Sequence, residues 1–198
     1  MNQNTELRKM IRKQRRSLTP LQQRNIEQQC LKQFLKHSQL QYAKKVGVYL
    51  DAFGEVRTRL LIEFCFQHGK QVYLPLICNM NKTLRWVRIS KHQFHNHLFS
   101  RHPLGMLEPI ASRGLHISIL DLVVMPLLAC DDKGARMGMG GGFYDRTLAS
   151  ALHRPYRLGL AHDFQKLDIE LKRNPWDQAL DGLITPSKSY RFKRHFSQ

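Results

Sequence analysis

Residues 120–128 read Leu-Asp-Leu-Val-Val-Met-Pro-Leu-Leu, apolar throughout except for Asp121 and without a polar face. A strand that is apolar at successive positions is buried on both sides, and such strands belong to parallel sheets covered by helices. The surrounding sequence agrees. Val46 opens a short apolar run to Leu50, Thr58 starts a helical pattern through Leu60, Leu61, Phe64 and Cys65, and Gly69 stands where a left-handed helix cap belongs. Residues 71–78 then read as a second strand, which completes a β-α-β unit. Strands alternating with helices predict an α/β sheet covered on both faces.

The remaining elements fit one domain over residues 1–198. Leu7, Met10 and Ile11 give residues 6–16 one apolar helical face. Thr19 and Pro20 read as an N-cap followed by proline at the first helical position, opening a second helix to about His37. Residues 83–89 alternate as a strand. Residues 90–119 are the least regular stretch. Residues 131–142 read as a loop, 143–152 as a helix, and 157–161 and 182–185 as short strands. No run of 18 apolar residues exists, which excludes a transmembrane helix. The polar start shows no secretory signal, so a cytoplasmic protein is expected. Cys30, Cys65, Cys78 and Cys130 form no C-x-x-C pair and read as reduced core residues.

Charge narrows the partners. Lys and Arg number 32 against 15 acidic residues, a formal +17, with 11 basic and 2 acidic residues in positions 1–45. Positions 187–198 hold four bases and no acid, and read as a basic tail. An excess of this kind suits an anionic partner, or serves only as a solvated surface. Lys188, Arg191, Lys193 and Arg194 interleave with Tyr190, Phe192 and Phe196, a pattern that can bind single-stranded nucleic acid; a mobile terminus is the plainer reading. His92, His95, His97 and His102 lack a partner carboxylate in their spacing, and no metal is expected there.

The stretch that carries chemistry is Gly134-Ala-Arg136-Met-Gly138-Met-Gly140-Gly-Gly142-Phe-Tyr144-Asp145-Arg146, with five glycines between positions 134 and 142. It follows the most buried strand and precedes a helix. Such a loop lets backbone N–H groups approach an anion, and the helix start adds partial positive charge. Arg136, on an exposed loop, can offer a planar fork to phosphate. Asp145 can hold a Mg²⁺ that bridges phosphate oxygens. No Gly-Lys-Ser/Thr follows, so this is not a P-loop; Phe143 occupies the third glycine position of the dinucleotide fingerprint. A ligand-free glycine turn is the plain alternative.

Residues 126–146 resemble the signature of the 5-formyltetrahydrofolate cyclo-ligase family, also called methenyltetrahydrofolate synthetases. Leu7-Arg8 with Arg12, Arg15 and Arg16 is similar to the family's basic first helix, and residues 48–58 to its first strand and Glu-x-x-Thr turn. The resemblance implies a mixed, mostly parallel central sheet with helices on both faces. It also implies an ATP-dependent ligase that converts 5-formyltetrahydrofolate to 5,10-methenyltetrahydrofolate, releasing ADP and phosphate. ATP would be co-substrate, Mg²⁺ the metal, and a polyglutamylated folate an acceptable substrate. No membrane, nucleic acid or obligate protein partner is implied. The alternative is a basic nucleic-acid-binding protein without catalytic activity.

By position, Arg8 matches a nucleotide-binding arginine, and Asn4 stands where relatives carry a lysine. Arg136, Gly138, Met139, Gly140, Gly141, Gly142, Phe143 and Tyr144 match the ATP-binding loop, with Arg136 and Tyr144 as catalytic candidates. Leu50 and Glu55 match folate contacts. Asp145 matches a metal ligand and Asp181 a second. Each has a structural alternative: Arg8 as a solvated base, Glu55 as a helix cap, Asp145 as a helix-start acid, Tyr144 as core, and Asp181 as a turn residue.

Overall fold

The computed structural model describes residues 3–193, with the side chains at positions 3 and 4 outside that description. Seven strands form the main sheet: β1 (Lys45–Gly47), β2 (Gln71–Cys78), β3 (Thr83–Ile89), β6 (Leu122–Pro126), β9 (Tyr156–Leu160), β10 (Gly182–Ile184) and β11 (Ser189–Arg191). Their order is β11-β10-β9-β6-β1-β2-β3. The five inner strands run parallel, and β3 and β11 close the edges antiparallel.

The apolar run becomes the central strand β6. Its alternate residues feed two cores: Leu122 and Val124 pack on one face, Val123 and Met125 on the other. The first face is covered by α2 (Pro20–Leu35), α3 (Ser38–Tyr42) and α4 (Arg59–Gln67), through Cys30, Phe34, Leu40, Leu61, Ile62 and Cys65. The second is covered by α6 (Phe143–Ala149) through Leu148, and by residues 117–120 against Trp86. That second layer approaches closely. A Cβ on Gly47 would lie 2.6 Å from Leu120 and 2.7 Å from Trp86, so β1 needs glycine there. Helix α1 (Gln3–Arg16) stands off the sheet and seats Ile11 among Leu128, Ala129, Ala135, Met137 and Leu171.

Local signals set the helix starts. Thr19 accepts a hydrogen bond from the Gln22 backbone at 3.2 Å, and the Gln22 side chain accepts from the Thr19 backbone at 2.8 Å. This is a capping box with Pro20 at the first turn. Ser90 and Gln93 form a second box at α5 (Lys91–His95). Gly69 has φ +67°, as the left-handed cap requires.

Three stretches depart from expectation. Residues 90–119 are ordered as α5 and the hairpin β4 (Phe99–Arg101) with β5 (Leu107–Pro109). Here His95 meets Glu63 at 3.0 Å and buried His102 accepts from the Leu104 backbone. The loop after β6 begins as a tight hairpin of β7 (Ala129–Cys130) with β8 (Arg136–Met137). Buried Asp131 organises it, accepting from the backbones of Lys133 and Ala135 at 2.9 Å each. The basic tail expected from 187 onward is instead edge strand β11 over 189–191. Phe192 packs against Gly134, where a Cβ would lie 2.8 Å from its ring. Arg194 and Phe196, also assigned to that tail, lie outside the described residues.

All four cysteines are unpaired. Burial pushes the thiols of Cys65 and Cys130 up to about 12 and that of Cys30 higher still. Among the described residues no helix is long and apolar enough to cross a membrane.

Candidate active site

A cavity of about 860 Å³ opens beyond the carboxyl ends of the parallel strands. Open α/β sheets bind their ligands there, because the connecting loops diverge above the strand ends. Leu50 and Glu55 reach the cavity from the loop after β1, Pro75 and Ile77 from β2, Pro126 from the end of β6 and Leu127 just beyond it. Residues 135–146 form most of one wall.

Within that wall the glycine loop is held by its carbonyl groups. Arg8 donates from Nε to the Gly138 carbonyl at 3.4 Å, and Arg12 from Nη2 to Met139 at 3.2 Å. Arg146 donates from Nη2 to the Gly141 carbonyl and from Nε to Lys82 at 2.9 Å. Its guanidinium also lies 5.8 Å from the centre of the Phe143 ring. The backbone N–H groups of residues 138–142 have no hydrogen-bond acceptor among the described residues. Gly140 (φ +105°) and Gly142 (φ +64°) supply the conformations this path needs, and Gly142 is the N-cap of α6. The loop therefore borders the cavity with the carbonyls of Gly138, Met139, Gly141 and Gly142 occupied and its donors available, the arrangement expected of an anion cradle.

Arg136 is not the exposed phosphate fork the sequence suggested. Its side chain is 4% exposed, and Nη2 donates to Asp145 Oδ1 at 2.7 Å. Its guanidinium lies 5.8 Å from the Tyr144 ring centre. Asp145 accepts a second hydrogen bond, from the Gln178 backbone at 3.0 Å. One carboxylate thus ties together β8, α6 and the segment that carries Asp177. Asp177 lines the same cavity and accepts from the Asn174 backbone at 2.8 Å.

Asp181 sits elsewhere. Its carboxylate accepts from the Arg157 backbone at 2.7 Å, and its carbonyl from Phe192 at 2.8 Å and from the Tyr156 hydroxyl at 3.2 Å. It fastens β9 to the sheet edge and is not among the cavity-lining residues. The structure therefore does not bring Asp181 to the cavity; Asp177, at the end of an Asn-Pro turn, is the aspartate of that segment which lines it.

On the opposite wall, Glu55 pairs with Arg15 at 3.4 Å, and its Oε2 accepts from the Ala52 backbone at 3.1 Å. Burial raises the Glu55 carboxyl to about 7, against the lowering pull of Arg15. Arg15 itself is 1% exposed, and its Nε and Nη1 have no hydrogen-bond partner among the described residues. Tyr144 joins the two walls. Burial raises its hydroxyl, the Glu55 charge raises it further, and Arg136 opposes both. The structure therefore gathers Arg8, Leu50, Glu55, the loop 136–144 and Asp145 at one cavity. Asn4 lies in the first turn of α1, and its side chain is outside the description. Arg12, which the sequence placed on the basic first helix, lines the same cavity with Arg146 and Asp177, and Arg15 from that helix backs it through Glu55.

The comparisons with known proteins give this geometry a family. The model of the 5-formyltetrahydrofolate cyclo-ligase family matches residues 1–186. The chain belongs to the 5-formyltetrahydrofolate cyclo-ligase family. The cyclo-ligase of Escherichia coli K12 is 35% identical over 184 residues, covering 92% of this chain and all of that protein. The cyclo-ligase of Haemophilus influenzae is 34% identical over 193 residues, covering 90% of this chain and 95% of the other. The solved 5,10-methenyltetrahydrofolate synthetase of Aquifex aeolicus superposes with a TM-score of 0.80 at 25% identity, over 98% of this chain and 95% of that one. As a cyclo-ligase family member the chain is an α/β enzyme, which leaves no need for the nucleic-acid reading of its charge. Part of the basic excess lines the cavity as Arg8, Arg12, Lys172 and Arg173.

Proposed function

We propose that this cavity binds ATP along its glycine loop and 5-formyltetrahydrofolate against Leu50 and Glu55, and closes the folate to 5,10-methenyltetrahydrofolate. The observation that carries the reading is the row of N–H donors on residues 138–142 without acceptors among the described residues, bordering the same cavity as the buried carboxyl of Glu55.

The γ-phosphoryl group passes from ATP to the formyl oxygen, and the terminal phosphoanhydride bond breaks to leave ADP. N10 of the folate then attacks the activated formyl carbon and forms the new C–N bond. Phosphate departs with the formyl oxygen, and N10 gives up its proton. None of these steps requires a protein nucleophile, so catalysis reduces to positioning and charge neutralisation. The loop N–H groups hold phosphate oxygens. Arg136, aimed at Asp145 from within the wall, adds a fixed positive charge and keeps that carboxylate oriented. Glu55 accepts from the donor-rich pterin. Tyr144, between the two, is placed to touch both substrates.

Asp145 and Asp177 are the side chains suited to a Mg²⁺ ion. Both line the cavity, and no group of three or more His, Cys, Asp or Glu gathers among the described residues. That donor set fits a cation that takes one or two protein carboxylates and fills its remaining positions with substrate phosphates and water. Bound there, Mg²⁺ would neutralise phosphate charge. Lys172 and Arg173 at the rim suit an anionic glutamate tail, and the unpaired buried thiols suit the cytoplasm.

The test is the absorbance of methenyltetrahydrofolate formed from 5-formyltetrahydrofolate, with ADP measured in parallel. One ADP per folate cyclised, and no product without ATP or a divalent cation, is expected. Cyclisation at full rate without nucleotide overturns the reading.

A further inference from the structure

The loop that presents Glu55 breaks a local rule. Residues 52–55 form a tight turn closed by the Glu55 backbone donating to the Ala52 carbonyl at 3.0 Å. Both central residues have positive φ, Phe53 at +53° and Gly54 at +75°. A turn with two such residues is type I′, and its first central position favours Asn, Asp or Gly. A bulky aromatic residue there costs backbone energy, and such strain persists only where surrounding contacts enforce it.

Those contacts are present. The Gly54 carbonyl accepts from His162 Nε2 at 2.9 Å and from Gln23 Nε2 at 3.4 Å. A Cβ on Gly54 would lie 2.7 Å from the Arg15 carbonyl oxygen, so α1 presses directly on the turn. The Glu55 carboxylate closes it from the other side through the Ala52 backbone. The enforced turn leaves the Phe53 ring half-buried in the cavity wall. Across from it stands Gly105 (φ +98°), where a Cβ would approach the ring to 3.2 Å. Leu104 and Met106, on either side of that glycine, also line the cavity.

We propose that Phe53 is a specificity-determining residue of the folate side: the strained turn holds its ring as a stacking surface for the planar pterin while Glu55, two residues on, accepts that ring's N–H donors. The proposal rests on the assignment of this wall to folate. A planar, donor-rich heterocycle needs one flat apolar partner and one acceptor, and a single four-residue turn supplies both. The strain is retained because glycine or asparagine would satisfy the backbone and lose the ring.

Phe53→Gly separates this role from a structural one, since glycine suits φ +53° and removes only the ring. It should melt at the same temperature as the parent or higher. Its KM for 5-formyltetrahydrofolate should rise about tenfold or more, the scale of losing one aromatic stacking partner, while its KM for ATP stays within about twofold. Phe53→Tyr, which keeps the ring, should recover most of the folate KM lost in Phe53→Gly. Equilibrium dialysis of 5-formyltetrahydrofolate without turnover gives a second readout. An unchanged folate KM in Phe53→Gly overturns the proposal, as does a lowered melting temperature with both KM values raised. If the parent binds folate without cyclising it, the proposed reaction falls and the binding ratio still decides the role of Phe53. If the parent does not bind folate, both fall.

Discussion

Replacing Arg136 with alanine should cost the protein both stability and turnover, and the two losses have separate physical origins. The Arg136 side chain is 4% exposed and its partner Asp145 is 21% exposed, at 2.7 Å. Breaking a fully buried pair by removing one partner costs about 3–5 kcal/mol, because the remaining charge is left uncompensated. Asp145 keeps the Gln178 backbone as a donor and some access to water, so the loss falls at or just below the bottom of that range, about 2–3 kcal/mol. For a chain of 198 residues each kcal/mol moves the melting temperature by about 2–4 °C, so a drop of roughly 4–12 °C is expected. Turnover should fall by roughly a hundredfold, as removal of one preorganised electrostatic group does. Arg136→Lys should recover part of each loss, since a point charge cannot reproduce the planar fork. The assay is a thermal melt beside steady-state kinetics for Arg136→Ala, Asp145→Asn and the double variant. If the two single losses simply add, the pair is not coupled. If Arg136→Ala melts within a degree of the parent and turns over normally, the argument fails at its base.

Three further outcomes follow from the same contacts. The Glu55 carboxyl at about 7 against an ordinary 4.5 means that the folded state binds this proton more tightly than the unfolded one. Its contribution is therefore complete below about pH 4.5 and is lost as pH rises to 7, by at most about 3 kcal/mol; urea midpoints should fall across that window in the parent and stay flatter in Glu55→Gln. Arg146→Ala releases the carbonyls of Gly141 and Lys82 at an exposed edge, and should raise the KM for ATP about fivefold, the net value of one solvent-exposed hydrogen bond of ~1 kcal/mol, with little change in melting. Asp177→Asn should raise the Mg²⁺ concentration needed for half-maximal rate without lowering the melting temperature, whereas Asp181→Asn should do the reverse; the opposite pattern would return the metal role to Asp181.

The sheet was legible where burial is strong and local. The run of residues 120–128 could only be a covered strand, and Thr19, Pro20 and Gly69 mark helix limits by backbone chemistry alone. The edge strand β11 was not legible, because Ser189-Tyr-Arg191 carries no apolar alternation and owes its order to pairing with β10. The β7–β8 hairpin was hidden for a related reason. Its two-residue strands have no pattern, and its register is set by the side chain of Asp131. At the site, the glycine spacing announced a loop that could accept an anion. It could not show which way Arg136 turns, because that depends on a carboxylate nine positions away on the far side of the loop. The choice between Asp177 and Asp181 is likewise geometric: four residues apart, one reaches the cavity and the other a β9 amide.

Helix α1 touches both walls of the cavity. Arg8 and Arg12 hold the glycine loop, while Arg15 backs Glu55 and the turn beside it. The helix is otherwise solvated along much of its length and is fixed chiefly through Ile11 and Arg15, each 1% exposed. Opening of α1 alone would therefore remove support from both walls together. Hydrogen exchange in α1 then reports a local opening far cheaper than global unfolding. With the substrates bound as proposed, either one alone is expected to slow exchange along the whole helix, a coupling carried by one element rather than by contact between the two ligands.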